Sequence, residues 1–310
     1  MKFQGLLLAA IILISLFITA PHNYFLTREK PSQFLTTVTK TQEPAVNNFT
    51  QTAMAINSTF KSNAVFSSNV QPENKKQTVS AQVFLKRLLN TNVDLAEQKI
   101  ENRWPVASLT KLMTALVVIE RTDLDSEIII SDNAVNQDGA IGDFKAGEKY
   151  KAEDLLKAAL VLSSNDAATA LAETLGIDNF VSEMNKKALE LGMENTKFVD
   201  STGLSYLNQS TANDLAKLVN YIYFDRPEIL KITTEKKISI TELNSGKVKP
   251  FYSINEFAGE LSFLGGKTGF INESRGNLIS VFQDDSGRGP ILIIVLGSDD
   301  RFGDTKILLW

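Results

Sequence analysis

Trp104-Pro105-Val106-Ala107-Ser108-Leu109-Thr110-Lys111-Leu112-Met113-Thr114-Ala115-Leu116-Val117-Val118-Ile119-Glu120 is the stretch on which the reading of this chain turns. From Leu112 onward it holds helix-compatible residues, nearly all apolar, so it reads as a buried helix. Pro105 and Ser108 stand where a helix start would put them. Lys111 is out of place in such a setting, because an unpaired buried ammonium is costly. It follows Ser108 by one helical turn, so the two side chains meet on one face. A serine at a helix N-terminus beside a partly desolvated lysine is an activated nucleophile, since an amine of lowered pKa can take the hydroxyl proton. The positive end of the helix dipole favours the anion that develops.

The pattern by itself is weak evidence. Ser-x-x-Lys also occurs at Ser58–Lys61, in a polar stretch with no helix to present it. Taken alone, Ser108 fits better as an ordinary N-cap with a snorkelling lysine. Composition narrows the choice. Cysteine is absent, which removes thiol nucleophiles, disulfides and zinc–thiolate sites. The single histidine, His22, follows the N-terminal apolar segment, so the folded part can hold neither a Ser-His-Asp triad nor a histidine metal site. A serine hydrolase built from this chain needs a lysine or a carboxylate as its base, and no metal or cofactor is implied. Residues 1–79 carry a net charge of +4 and residues 80–310 a net charge of −8, an acidic balance that argues against nucleic acid as a partner.

Three segments follow. Residues 1–20 contain the apolar run Leu6–Ala20 behind Lys2, a secretory signal or signal-anchor. Ile18 in the small-residue position and Pro21 after Ala20 disfavour cleavage, so an uncleaved anchor that exports and tethers the rest is the expectation. In residues 21–79, 26 of 59 residues are Ser, Thr, Asn or Gln, too polar to bury a core, and this reads as a flexible stalk. Residues 80–310 form the globular part. Gln82–Leu89 and Val93–Lys99 predict a hairpin, followed by the Ser108 helix and helices over Ala152–Leu162, Asn165–Leu175, Asp178–Leu191 and Thr211–Phe224. Pro227 opens a short helix. Strands follow at Lys237–Leu243, Lys247–Tyr252, Leu264–Ile271, Leu278–Gln283 and Ile291–Leu296, and Phe302–Trp310 is a closing helix. Strands at both ends with helices between them give an α+β fold, an antiparallel sheet whose first strands pair with its last.

Three further pieces bear on Ser108. Ser163-Ser164-Asn165 lies between two helices, where a hydroxyl and an amide can project into a cleft, although either serine also serves as an N-cap. Ser131-Asp132-Asn133 offers the same pattern and reads as a strand end with a cap. Gly265-Gly266-Lys267-Thr268-Gly269 begins a strand whose glycines leave one side open to a ligand.

Ser108-Leu109-Thr110-Lys111, Ser163-Ser164-Asn165 and Lys267-Thr268-Gly269, with 55 and then 104 residues between their first members, resemble the motif set of the penicillin-recognising serine enzymes. The whole of 80–310 is similar to the low-molecular-weight penicillin-binding proteins that are serine-type D-alanyl-D-alanine carboxypeptidases. That resemblance implies a DD-peptidase/β-lactamase-like fold, with a helical subdomain between N- and C-terminal strands. Its implied substrate is the peptidoglycan stem peptide and its covalent inhibitors are β-lactams, while the N-terminal segment sets the expected location at the outer face of the cell membrane. It implies Ser108 as acylated nucleophile, Lys111 as proton acceptor and Ser163 as proton relay to the leaving D-alanine. Asn165 would hold the substrate amide, and Lys267 would help keep Lys111 neutral. Thr268 and Arg301 would receive the terminal carboxylate, with the N–H groups of Ser108 and Phe270, beside Gly269, as oxyanion hole. Two departures stand out. Ser201-Thr202-Gly203-Leu204 replaces the Glu-x-x-Leu-Asn loop that class A β-lactamases use for deacylation. Arg275-Gly276 stands where Gly-aromatic is more usual. The motifs do not separate a carboxypeptidase from an endopeptidase on cross-linked peptidoglycan, or from a sensor that acylates without turnover.

Overall fold

The computed structural model describes residues 78–139 and 141–310, and the expectations for the anchor, the stalk up to residue 77 and Ser58–Lys61 lie outside them. In chain order the strands and helices begin with the hairpin β1 (Val83–Leu88) and β2 (Val93–Gln98), then β3 (Trp104–Pro105) and α1 (Thr110–Arg121). Next come β4 (Glu127–Ile129), α2 (Asp132–Val135), β5 (Lys149–Lys151), α3 (Ala152–Lys157), α4 (Asn165–Glu173), α5 (Ile177–Glu190) and β6 (Gln209–Ser210). The chain closes with α6 (Ala212–Asp225), α7 (Pro227–Thr233), β7 (Lys237–Thr241), β8 (Val248–Tyr252), β9 (Phe263–Ile271), β10 (Arg275–Phe282), β11 (Ile291–Ser298) and α8 (Arg301–Leu309).

The main sheet is antiparallel with the order β2-β1-β11-β10-β9, so the first strand pairs with the last, as the sequence predicts. The run Ile291-Leu292-Ile293-Ile294-Val295-Leu296 explains its central position. A strand apolar at every residue must be covered on both faces. Leu292, Ile294 and Leu296 face the helical core with Leu116, Leu215 and Leu218, and Ile294 is flanked in register by Leu85 and Ile279. Ile291, Ile293 and Val295 face the other way, onto Phe257, Phe282 and Leu308 of the closing layer. The two periodicities, 2 along the strand and 3.6 along α1, meet in one continuous core. Leu112, Met113, Leu116 and Val118 of α1 have essentially no exposure.

Three sequence readings need correction. Pro105 does not open α1: with Trp104 it pairs with Gln209–Ser210, and the Trp104 indole N–H donates to the Ser274 carbonyl (3.0 Å). The helix predicted over Ala152–Leu162 is α-helical only to Lys157, and Ala158–Leu162 is a π-turn that ends at Ser163 in a left-handed conformation, φ +63°. The β7–β8 hairpin forms a separate two-stranded sheet outside the main one. Arg275 also adopts a positive φ of +56° as it opens β10, and its guanidinium pairs with Asp299. Gly276 beside it is required by closeness, since a Cβ there would lie 2.9 Å from the Ser298 carbonyl oxygen. Among the described residues no helix is long and apolar enough to cross a membrane.

Candidate active site

Ser108 sits on a 3₁₀ turn, Ala107–Leu109, that leads directly into α1, and Lys111 belongs to the first turn of that helix. The turn is strained at Ala107, a non-glycine residue with φ +49°. Two glycines let neighbouring backbone press against it. A Cβ on Gly203 would come within 1.9 Å of the Ala107 oxygen, and one on Gly269 within 3.0 Å of the Val106 oxygen. Asn277 fastens the approach from below: its amide donates to the Pro105 carbonyl (2.9 Å) and accepts from the Gly297 N–H (3.0 Å). The nucleophile turn is thus held between β9 and the 200–208 loop.

Lys111 is fully buried, and its Nζ donates to Ser108 Oγ (3.2 Å), Asn165 Oδ1 (2.7 Å) and the Thr202 carbonyl (2.6 Å). All three partners are neutral. Burial therefore lowers its pKa to about 7, against a smaller upward pull from Asp200. Lys267, in the middle of β9, is 1 % exposed and donates to Ser163 Oγ (2.9 Å) and the Thr268 carbonyl (3.0 Å). Burial first, then the neighbouring Lys111 and Arg301, push its pKa well below the ordinary lysine value. The Lys111 charge thus disfavours a second ammonium at Lys267, while the Lys111 pKa itself is lowered by burial. Among the described residues neither amine has a carboxylate in ion-pair contact.

The π-turn has a use here. Its left-handed end aims Ser163 at Lys267, while the next residue, Ser164, N-caps α4 by accepting from the Ala167 N–H (3.2 Å). Asn165, the first residue of α4, has both ends of its amide engaged: Oδ1 by Lys111 and Nδ2 by the Asp138 carbonyl (2.7 Å). Ser131 remains the structural cap that its sequence suggests, accepting from Ala134 and donating to Glu173.

A cavity of about 240 Å³ connects these groups. Ser108, Ser163 and Asn165 form one side, Thr268 and Gly269 on β9 the other, and Arg301 one end. Arg301 is fixed by donation to the Gly269 carbonyl (2.9 Å) and by its contact with the Phe302 ring. Phe270 is 61 % exposed at the rim. All nine residues singled out in the sequence therefore lie in, or directly under, one cleft. A larger hollow of about 540 Å³ lies between Ser80 and Lys306, and neither Ser108 nor Ser163 lines it. Among the described residues no group of three or more metal-ligating side chains is arranged to hold a metal ion.

Sequence reasoning missed Asp200 and Thr202. Asp200 accepts from the N–H groups of Thr202, Gly203 and Ser205, from the Thr202 hydroxyl and from the Asn208 amide, at 2.6–3.0 Å. Burial pushes its carboxyl pKa up, but these donors outweigh it and hold the pKa below the ordinary value. The signal available was Asp200-Ser201-Thr202-Gly203, an acid placed two residues before a Thr-Gly turn, which is an Asx-turn pattern.

The cleft's chemistry agrees with what the chain resembles. The D-alanyl-D-alanine carboxypeptidase family model, peptidase S11, matches residues 69–300. A D-alanyl-D-alanine endopeptidase of Pseudomonas aeruginosa is 35 % identical over 217 residues, 66 % of this chain and 69 % of that protein. The crystal structure of a D-alanyl-D-alanine carboxypeptidase from Mycobacterium tuberculosis superposes with a TM-score of 0.68 at 26 % identity, covering 75 % of this chain and 90 % of that one. Penicillin-binding protein D2 from Listeria monocytogenes, in its cefotaxime-bound form, gives 0.67 at 29 % identity, with 75 % and 97 % covered. The chain belongs to the D-alanyl-D-alanine carboxypeptidase family of serine peptidases.

Proposed function

We propose that this protein removes the terminal D-alanine from peptidoglycan stem peptides through an acyl-enzyme on Ser108. The observation that carries this reading is the buried amine of Lys111, without a carboxylate partner and 3.2 Å from the Ser108 hydroxyl, in a cleft that also holds Lys267 and Ser163. Ser108 Oγ attacks the penultimate carbonyl while neutral Lys111 takes its proton. Negative charge develops on the carbonyl oxygen between the backbone N–H groups of Ser108 and Phe270. The C–N bond breaks as the proton taken by Lys111 passes through Ser163, itself hydrogen-bonded to Lys267, to the leaving amine, which returns Lys111 to its neutral form. Arg301 and Thr268, at the far end of the cleft, meet the terminal carboxylate. Water then attacks the ester with Lys111 again as base, which releases the shortened peptide and restores the Ser108 hydroxyl. β-Lactams enter the same path and stop at the acyl-enzyme.

A second reading is cleavage of the D-alanyl bond in cross-linked peptidoglycan. It is supported by the 35 % identity to the Pseudomonas aeruginosa endopeptidase. The chemistry is the same and only the leaving amine differs. The apolar run Leu6–Ala20 supports export and tethering at the outer membrane face, with residues 21–79 as the stalk.

The test uses labelled penicillin and two substrates, a D-Ala-D-Ala pentapeptide and a cross-linked muropeptide. Wild type is expected to label and to release D-alanine, and Ser108→Ala to do neither. Labelling that survives the substitution would refute Ser108 as nucleophile. Labelling without turnover of either substrate would support an idle sensor instead.

A further inference from the structure

Asp200 touches neither the cleft nor any cation, yet it is the most heavily engaged carboxylate of the described residues. Its Oδ1 collects the Thr202 N–H (2.8 Å), the Thr202 hydroxyl (2.8 Å) and the Gly203 N–H (2.6 Å). Its Oδ2 collects the Ser205 N–H (3.0 Å) and the Asn208 amide (2.8 Å). Five donors on one side chain fix the fold of the whole turn. That fold turns two carbonyls toward α1: Ser201, which accepts from the Thr114 hydroxyl (2.6 Å), and Thr202, which accepts from Lys111 Nζ (2.6 Å). The same turn presses Gly203 onto the Ala107 carbonyl, so it also braces the strained residue next to the nucleophile.

We propose that Asp200 is the positioning residue for the general base: its carboxylate shapes the Thr202–Asn208 turn so that the Thr202 carbonyl holds the Lys111 amine on the Ser108 hydroxyl. This rests on the reading of Ser108 and Lys111 given above. A carbonyl acceptor fixes where the amine stands, and a carboxylate two residues before it supplies negative charge without forming the ion pair that would keep the amine protonated. The charged groups around Lys111 are Lys267 from β9, with Arg301 behind it, Asp166 next to Asn165 on α4, and Asp200 from the turn. Of these, Asp200 is the one that pulls the Lys111 pKa upward. Asp200 thus offsets part of the desolvation and keeps the amine titrating near neutrality.

Removing the charge and two of the acceptor contacts has a signed consequence. In Asp200→Asn the Lys111 pKa falls, so the acid limb of the acylation rate moves to lower pH by about one unit. The amine is also less well aimed, so the plateau rate per labelled site drops by about 10–100-fold while KM for a D-Ala-D-Ala peptide changes little. A part that only stabilises the fold would lower the number of labelled sites and leave the pH profile in place.

The experiment measures the second-order rate of labelling by fluorescent penicillin from pH 5 to 9, per labelled site, for wild type, Asp200→Asn and Asp200→Glu. The proposal expects the downward shift of the limb and the lower plateau in Asp200→Asn. In Asp200→Glu, which keeps the charge but lengthens the arm, it expects a lower plateau with the limb unmoved. An Asp200→Asn profile that superposes on wild type overturns the proposal. If Asp200→Asn yields no labelled protein, Asp200→Glu decides, and a wild-type plateau there overturns it. Failure of wild type itself to label at Ser108 would instead remove the reading of the nucleophile, a result distinct from either.

Discussion

Two regions of the molecule bury lysines, and they do so in opposite ways. In the cleft, Lys111 and Lys267 have only neutral hydrogen-bond partners. Beneath the loop that carries Asp138 and Ile141, Lys249 is 7 % exposed but bonds both carboxylate oxygens of Glu148 (3.1 and 3.3 Å) and the Asp143 carbonyl (2.7 Å). It also lies over the rings of Phe144 and Tyr150. Glu148 accepts in turn from the Tyr150 hydroxyl (2.7 Å). Burial raises the Tyr150 pKa, helped by that carboxylate, so the phenol stays a donor. A buried lysine paired with a carboxylate serves as an anchor. One without a carboxylate is driven toward the neutral amine, which is the form that can accept a proton.

Substitutions that swap these roles separate the two regions. The largest effect is expected from Lys111→Ala, which deletes the base. Acylation by labelled penicillin should fall by about 10²–10⁴-fold with the fold retained, checked by stopped labelling alongside circular dichroism. Lys249→Met should do the reverse. It leaves the half-buried Glu148 without its partner, so stability falls by about 1–2 kcal/mol, a drop in Tm of about 2–8 °C. Its acylation rate per labelled site should stay within about ten-fold of wild type. A Lys249→Met protein as stable as wild type would mean that the Lys249–Glu148 pair does not anchor the loop. A Lys111→Ala protein that acylates normally would mean that the cleft's lysines are structural too.

What was legible in the sequence follows from this contrast. The central sheet could be read because β11 is apolar throughout Ile291–Leu296 and so has to lie between two layers, a constraint that acts through local pattern. The nucleophile, its base and the second lysine could be read because three short motifs, each weak alone, together resemble those of one family. Pro105 was misread because a two-residue strand exists only through its partner, Gln209–Ser210, about a hundred residues away. The left-handed Ser163 was invisible because the π-turn before it is made of Ala158-Ala159-Leu160-Val161-Leu162, a run that reads equally well as ordinary helix. Tertiary packing makes that choice. Asp200 escaped for another reason: its partners are mostly backbone N–H groups, which have no side-chain signature in the sequence.

The claim on which the account depends is that Lys111 works as a neutral amine at physiological pH because it is buried among neutral partners. The second-order rate of acylation of wild type by labelled penicillin, followed from pH 5 to 9, tests it most directly, since that rate reports the free enzyme. The account predicts a rate that climbs about ten-fold per pH unit in acid and levels off above an apparent pKa of about 7. A rate still climbing at pH 9, as for a lysine titrating near its ordinary 10.5, or one flat from pH 5 upward, would contradict it.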